Sequence, residues 1–352
     1  MPSDKPVFIS EDELKSLTDW KEILYVLEQA FISASNDDGK DKATTTTTAS
    51  DQPYSSQPAR SFVGAGEGVL LCMPGFMGNH TIFKNDSNRV STLACKLITS
   101  FGDNPKRVPP LPDINGNIFL FDEVTGKLRA TLEANYLTGL RTAAASIVAT
   151  EQVFMPRVTD ADSKNLVLGI IGTGTQGEFH AIGFMKTHKF ANIKLWNRTK
   201  SRAEQLKDKL IQLAPESVNP NVAVTVHDSV EDCLRNCDII VTATSSSVPL
   251  VFKRFLKENV HINALGAGRT HHAELAQDIY DESQVFIDYQ SGAKKELAGL
   301  KSTIVGEIGE VLLNRKSIPS SGITVFQSIG MAVEDVAIGR LFHTKFQHSN
   351  NH

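Results

Sequence analysis

Residues 165–177 read NLVLGIIGTGTQG. A continuous apolar run ending in glycine suits a parallel strand covered on both faces, since neither face meets water. The next six residues, Gly172-Thr173-Gly174-Thr175-Gln176-Gly177, form a GxGxxG turn that opens a helical segment. In that setting Gly172 permits a tight turn, Gly174 lets backbone approach a pyrophosphate, and Gly177 lets the helix pack closely on the strand. Thr175 and Gln176 sit at the helix start, where free N–H donors and the positive end of the helix dipole favour phosphate. Downstream, the strands NIKLWN, VAVTVH, CDIIVTAT, HINALG and SQVFIDY alternate with helical stretches such as SRAEQLKDKLIQLA. This alternation predicts an α/β chain built on a Rossmann-type doubly wound parallel sheet with right-handed crossovers.

Twenty residues after Gly177, the second strand ends in Asn197, Arg198 and Thr199. NAD enzymes commonly place a carboxylate here for the ribose hydroxyls, and a carboxylate repels a 2′-phosphate. Instead Arg198 offers a planar donor fork and Thr199 a hydroxyl, with Lys200 and Arg202 adding positive charge. The expected cofactor is therefore NADPH (NADP+). Thr242 and Thr244, at the end of CDIIVTAT, are expected to line the same crevice, because ligands bind at the carboxyl edge of such sheets.

Outside this region the pattern changes. SEDELKSLTDWKEILYVLEQAFIS reads as a helix capped by Ser10. Residues 33–58, SASNDDGKDKATTTTTASDQPYSSQP, have almost nothing apolar to bury and are expected to form a flexible insertion. GVLLCMPGF reads as a strand, and NIFLFDEVTGKLRATLEA as a hairpin turning at Thr125-Gly126. The final ITVFQSIGMAVEDVAIGRLF gives a strand and a long helix. With the parallel sheet read as already complete, that helix is expected to pack on the N-terminal part.

A net charge of −4 over 352 residues gives no reason to expect nucleic acid or an anionic membrane as partner. No apolar run reaches bilayer-spanning length. The start lacks the pattern of a secretory signal, and the four cysteines suggest reduced thiols in the cytosol. Cys233 and Cys237 are expected to share a helix face as packing residues. No metal site is expected: HExxH is absent, and the adjacent His271 and His272 point in different directions.

Together these motifs resemble the ornithine cyclodeaminase/mu-crystallin family over nearly the whole chain. The resemblance rests on LTGLRTAAAS (137–146), IGTGTQGEFHA (171–181), INALGAGR (262–269), GEIGEV (306–311) and TVFQSIGMAVED (324–335), in matching order and spacing. WNRT and SIGMAVED are most similar to the ketimine-reductase branch. The resemblance implies a nucleotide-binding domain (145–321) inserted into a substrate-binding and dimerisation domain made from both chain ends (1–144 with 322–352). It implies a homodimer, an active site between the domains, and small imino or amino acid substrates whose carboxylates are held by basic side chains. Arg60, Lys96 and Arg141 match those positions. An arginine grips a carboxylate bidentately, while Lys96 adds a point charge and a transferable proton. Lys96 and Arg141 are accordingly the expected catalytic pair, with Ser328 and Met331 bordering the nicotinamide. Glu334 and Asp335 read as helix-start and interface residues.

Two departures separate the chain from cyclodeaminases of the family. Gly268 stands where those enzymes carry an aspartate, and Leu71-Cys72 stands where they tend to have an acid before Met-Pro. Cyclodeamination needs a positioned general acid/base, which these substitutions remove. Reduction of a cyclic ketimine carboxylate asks only for a gripped carboxylate, a proton and an aligned hydride donor. An NADPH-dependent cytoplasmic ketimine reductase is the expectation. An alanine-type dehydrogenase, distinguished by ammonia dependence, an ornithine cyclodeaminase-like enzyme, and an NADPH-dependent thyroid-hormone-binding or structural protein of the same family are the alternatives.

Overall fold

The structure is a computed structural model and describes residues 5–36, 52–266 and 272–350. The chain divides into two compact units, Met1–Arg141 with Met331–His352, and Thr142–Gly330.

The first unit is built on a seven-stranded sheet of β1 (Val7–Ile9), β2 (Tyr54–Ser56), β3 (Ser61–Ala65), β4 (Gly68–His80), β5 (Val90–Ser100), β6 (Ile114–Phe121) and β7 (Leu128–Glu133). Their order is β1-β7-β6-β5-β4-β2, with β3 also on β4. All pairs are antiparallel except β1 with β7. Side chains alternate between the two faces of a strand. In β5 Thr92, Ala94, Lys96 and Ile98 are accordingly buried while Leu93, Cys95 and Leu97 are only half-buried. The C-terminal helix Ala332–Ser349 packs on β4, β5 and β6 and on the helix Trp20–Ser35.

Two local readings change here. The expected single N-terminal helix is two, Glu11–Ser16 and Trp20–Ser35, because the Asp19 side chain accepts from the N–H of Lys21 (2.8 Å) and so starts a new helix. Residues 54–56 of the expected insertion form β2, paired with β4, and the Ser55 hydroxyl donates to the Ser33 carbonyl (3.1 Å). Residues 37–51 of that segment lie outside the described residues.

The second unit carries eight parallel strands: β8 (Val167–Ile171), β9 (Asn192–Trp196), β10 (Ala223–Val226), β11 (Ile239–Thr242), β12 (Val260–Ala264), β13 (Gln284–Ile287), β14 (Ile304–Glu307) and β15 (Ile323–Gln327). The order is β10-β9-β8-β11-β12-β15-β13-β14. The winding reverses between β8 and β11, which creates a switch point at their carboxyl ends. β15 corrects the domain reading. It lies between β12 and β13 and pairs with both, so the parallel sheet is not complete without it. The division accordingly falls at 330/331 rather than 321/322, and at 141/142 rather than 144/145. Cys237 also lies beyond its expected helix, which ends at Leu234 ahead of Asn236 in a left-handed conformation (φ 63°). Both Cys233 and Cys237 are nonetheless fully buried.

Candidate active site

In the second unit, the turn after β8 fits the roles read from its glycines. Gly172 has φ +99°, and a Cβ there meets the Ala243 carbonyl oxygen at 2.5 Å. A Cβ on Gly177 meets the Gly172 carbonyl oxygen at 1.9 Å, so only glycine lets the helix Thr175–Thr187 sit this close to the turn. Around Gly174, by contrast, the space is open. The turn borders a cavity of about 270 Å³ whose wall includes Gly174, Asn197, Arg198, Thr199, Arg202 and Thr244. Among the described residues, nothing hydrogen-bonds the buried Thr173 Oγ1 or Gln176 Oε1. Open space beside a glycine, unpaired polar atoms at a helix start and two arginines on one wall suit the phosphates of a dinucleotide.

Several side chains expected at this site have structural work instead. Asn197 braces the turn: its Oδ1 accepts from Thr173 N (3.1 Å) and its Nδ2 donates to the Thr199 carbonyl (2.9 Å). Lys200 does not add free charge, because its ammonium is paired with Asp228. Thr242 is fully buried and donates its hydroxyl to Glu274 (3.0 Å). Glu274 also accepts from Thr244 N (2.7 Å), Thr244 Oγ1 (2.6 Å) and Gly266 N (3.0 Å). Burial pushes the Glu274 carboxyl up in pKa against these four donors. It fastens the ends of β11 and β12, a role no sequence pattern announces. Gly268, Arg269 and His271 lie outside the described residues. Ser328 and Met331 are buried, and the wall of this cavity does not include them.

In the first unit, Lys96 and Arg141 come together through the two acids read as helix-start residues. Lys96 points from β5 onto Asp335, with Nζ 2.8 Å from Oδ1 and 2.7 Å from Oδ2. Arg141, on the helix Ala134–Val153, places Nη1 2.5 Å from Glu334 Oε2 and Nε 3.5 Å from Asp335 Oδ1. Glu334 and Asp335 do occupy the first turn of Ala332–Ser349, but they are buried. The Lys96 and Glu334 side chains have no exposed surface, and Arg141 keeps 10%. Burial of charge is unfavourable unless it is paired, and here two cations meet two anions. Burial, aided by the positive charge of Arg141 and opposed by Asp335, lowers the Lys96 pKa to about 8. Burial also raises the Glu334 carboxyl above its usual range, although Arg141 counteracts it. Arg60 lies half-buried between β2 and β3 and is not among these four residues.

The sequence profile of the ornithine cyclodeaminase/mu-crystallin family matches residues 18–350. The chain belongs to that family. Among its members, the ketimine reductase mu-crystallin of Rattus norvegicus is 31% identical over 294 residues, covering 82% of this chain and 84% of that protein. A Delta(1)-pyrroline-2-carboxylate reductase of Bacillus cereus is 31% identical over 273 residues, covering 73% and 78%. The fold matches that of Thermococcus litoralis Delta(1)-pyrroline-2-carboxylate reductase, solved with NADH and L-proline, at a TM-score of 0.78 and 23% identity over 98% of both chains. The ornithine cyclodeaminase/mu-crystallin profile thus spans both the lysine–arginine–acid cluster and the glycine turn.

Breaking the cluster on one side leaves an uncompensated buried charge. Lys96→Met is expected to lower unfolding free energy by about 3–5 kcal/mol. Adding Asp335→Asn is expected to restore on the order of 2 kcal/mol. Urea unfolding of the single and double variants measures both; a double variant no more stable than Lys96→Met contradicts the pairing.

Proposed function

We propose that this chain is an NADPH-dependent reductase of cyclic ketimine carboxylates, yielding saturated cyclic amino acids. The observation that carries this reading is the buried cluster in which Asp335 holds both the Lys96 ammonium (2.7 Å) and the Arg141 guanidinium (3.5 Å), with burial lowering the Lys96 pKa to about 8. A proton donor works best when its pKa lies near the operating pH. The names of the relatives support the reaction class, since both sequence relatives are reductases of C=N substrates bearing or flanked by a carboxylate in one case and of ketimines in the other.

Bound NADPH supplies the hydride equivalent. The residues of this chain hold the substrate carboxylate, with Arg141 as the principal donor fork and Arg60 as the second cation. Lys96 delivers its Nζ proton to the imine nitrogen, which makes the neighbouring carbon electrophilic, and Asp335 holds Lys96 in place for that transfer. Cofactor choice rests on the end of β9, where Asn197 is committed to the turn and Arg198 stands exposed on the cavity wall. No carboxylate stands at residues 197–199 to repel a 2′-phosphate.

We also assign the chain as a cytoplasmic homodimer. All four cysteines are free, in keeping with a reducing compartment. No helix among the described residues is long and apolar enough to cross a membrane. The outer face of the first sheet supports self-association: Phe76 opposes Leu93, while Cys95 opposes Phe119, all only half-buried. Sedimentation at twice the monomer mass is the expected outcome; a monomer at micromolar concentration excludes this assignment.

Mixing the protein with piperideine-2-carboxylate is expected to oxidise NADPH faster than NADH, followed by reduced-cofactor absorbance. Arg198→Ala is expected to raise the KM for NADPH about 10- to 100-fold with NADH changed little, the loss of charge-assisted phosphate bonds. Equal rates with the two cofactors, or no oxidation of either, overturn the proposal.

The pH profile tests Lys96 separately. Its protonated form is lost as pH rises through about 8, so kcat for imine reduction is expected to fall above that pH. Lys96→Arg keeps the charge but holds its proton too tightly to transfer it. It should lower kcat by about 10²–10⁴-fold and abolish that limb. A variant that keeps both rate and limb removes Lys96 from the chemistry.

A further inference from the structure

A second cluster in the first unit is not used by the chemistry above. Arg340 and His343 stand one turn apart on the helix Ala332–Ser349 and border a cavity of about 340 Å³. Among the described residues no hydrogen bond or ion pair reaches the Arg340 guanidinium, and its Nε is buried without an acceptor. His343 is 5% exposed, and its Nδ1 is likewise buried and unpartnered. An arginine kept for stability normally holds an acceptor, because a desolvated, unpaired guanidinium is unfavourable.

The nearby acids do not fill that need. Asp122 is already taken by the Arg129 fork, with Nη2 at 2.6 Å, and by Thr125 N and Oγ1 at 2.7 and 2.6 Å. Glu123 is exposed and acts on Arg340 only through space. The lining also includes the apolar Val7, Leu120, Phe121 and Leu128, beside the polar Lys5, Arg129 and Gln347. An unpartnered guanidinium, an imidazole and four hydrocarbon side chains around one cavity define the chemistry of the occupant.

We propose that this cavity is a binding site for a small aliphatic carboxylate, whose head is held by Arg340 and His343 and whose short chain rests on Val7, Leu120, Phe121 and Leu128. It is separate from the Lys96 cluster. Thr92, which also borders the cavity, lies four residues from Lys96 along β5, roughly 13 Å at the rise of an extended strand. Both Arg340 and Asp335 belong to one helix, so an occupant here touches the same rigid element that holds Lys96.

Calorimetric titration with butanoate tests the site. The wild-type chain is expected to show a binding component that Arg340→Met weakens at least about tenfold. Inorganic phosphate, which lacks the hydrocarbon, should bind that component at least about tenfold more weakly than butanoate. Without ligand, Arg340→Met should melt at or above the wild-type temperature, since it removes a half-buried guanidinium that no described acceptor pairs. Absence of an Arg340-dependent component overturns the site, and equal affinity for phosphate overturns the aliphatic class. A variant that melts well below the wild type reassigns Arg340 to a structural role and overturns the proposal as well.

Discussion

Four charges with almost no access to water organise the first unit. Lys96 and Asp335, Arg141 and Glu334 come from a strand, the helix Ala134–Val153 and the C-terminal helix, which are separated by tens to hundreds of residues in sequence. Apolar packing alone tolerates small slips of a helix along a sheet, because hydrophobic contact is not directional. Paired charges do not: a displacement of a few ångströms leaves a bare ion in a medium that solvates it poorly. The cluster therefore fixes the register of the C-terminal helix on β5. The same desolvation that makes it demanding also lowers the Lys96 pKa to about 8.

In the nucleotide unit the distribution of acids sets the character of the cavity. Glu274 carries a full carboxylate close to the strand ends, yet its oxygens are turned onto two threonines and a backbone N–H. Asp228 is turned onto Lys200. With these acids engaged and an amide at Asn197, Arg198 and Arg202 are the charged side chains on the cavity wall. The charge of the cavity wall depends as much on where the carboxylates are tied up as on where the arginines stand.

Much of this architecture was legible in the chain. The apolar run into GTGTQG, the alternation that follows, and the hairpin about Gly126 each report a local rule, and local rules survive folding. What was not legible is long-range. Nothing in ITVFQ says that it enters a sheet between strands some 63 and 39 residues earlier. Glu274 follows two histidines in an irregular stretch without periodicity, so its four donors are visible only in three dimensions. Glu334 and Asp335 did leave a signal: an acid pair in an otherwise apolar helix start, AVEDVAIG, implies burial and hence buried cations. Reading the pair as a helix start was right about position and silent about its partners. Lys200 shows the converse, since its place beside the glycine turn carries no trace of its ionic partner Asp228.

The place of β15 has a consequence for biogenesis. A strand in the middle of the parallel sheet, residues 323–327, is made after the seven other strands of that sheet. During synthesis β12 and β13 emerge with the slot between them empty, each presenting an unpaired edge of backbone donors and acceptors. The nucleotide unit therefore cannot close as an N-terminal domain does, ahead of the rest of the chain. Its completion waits for residues 323–327, and any product truncated before residue 327 exposes two adhesive strand edges in place of a finished sheet.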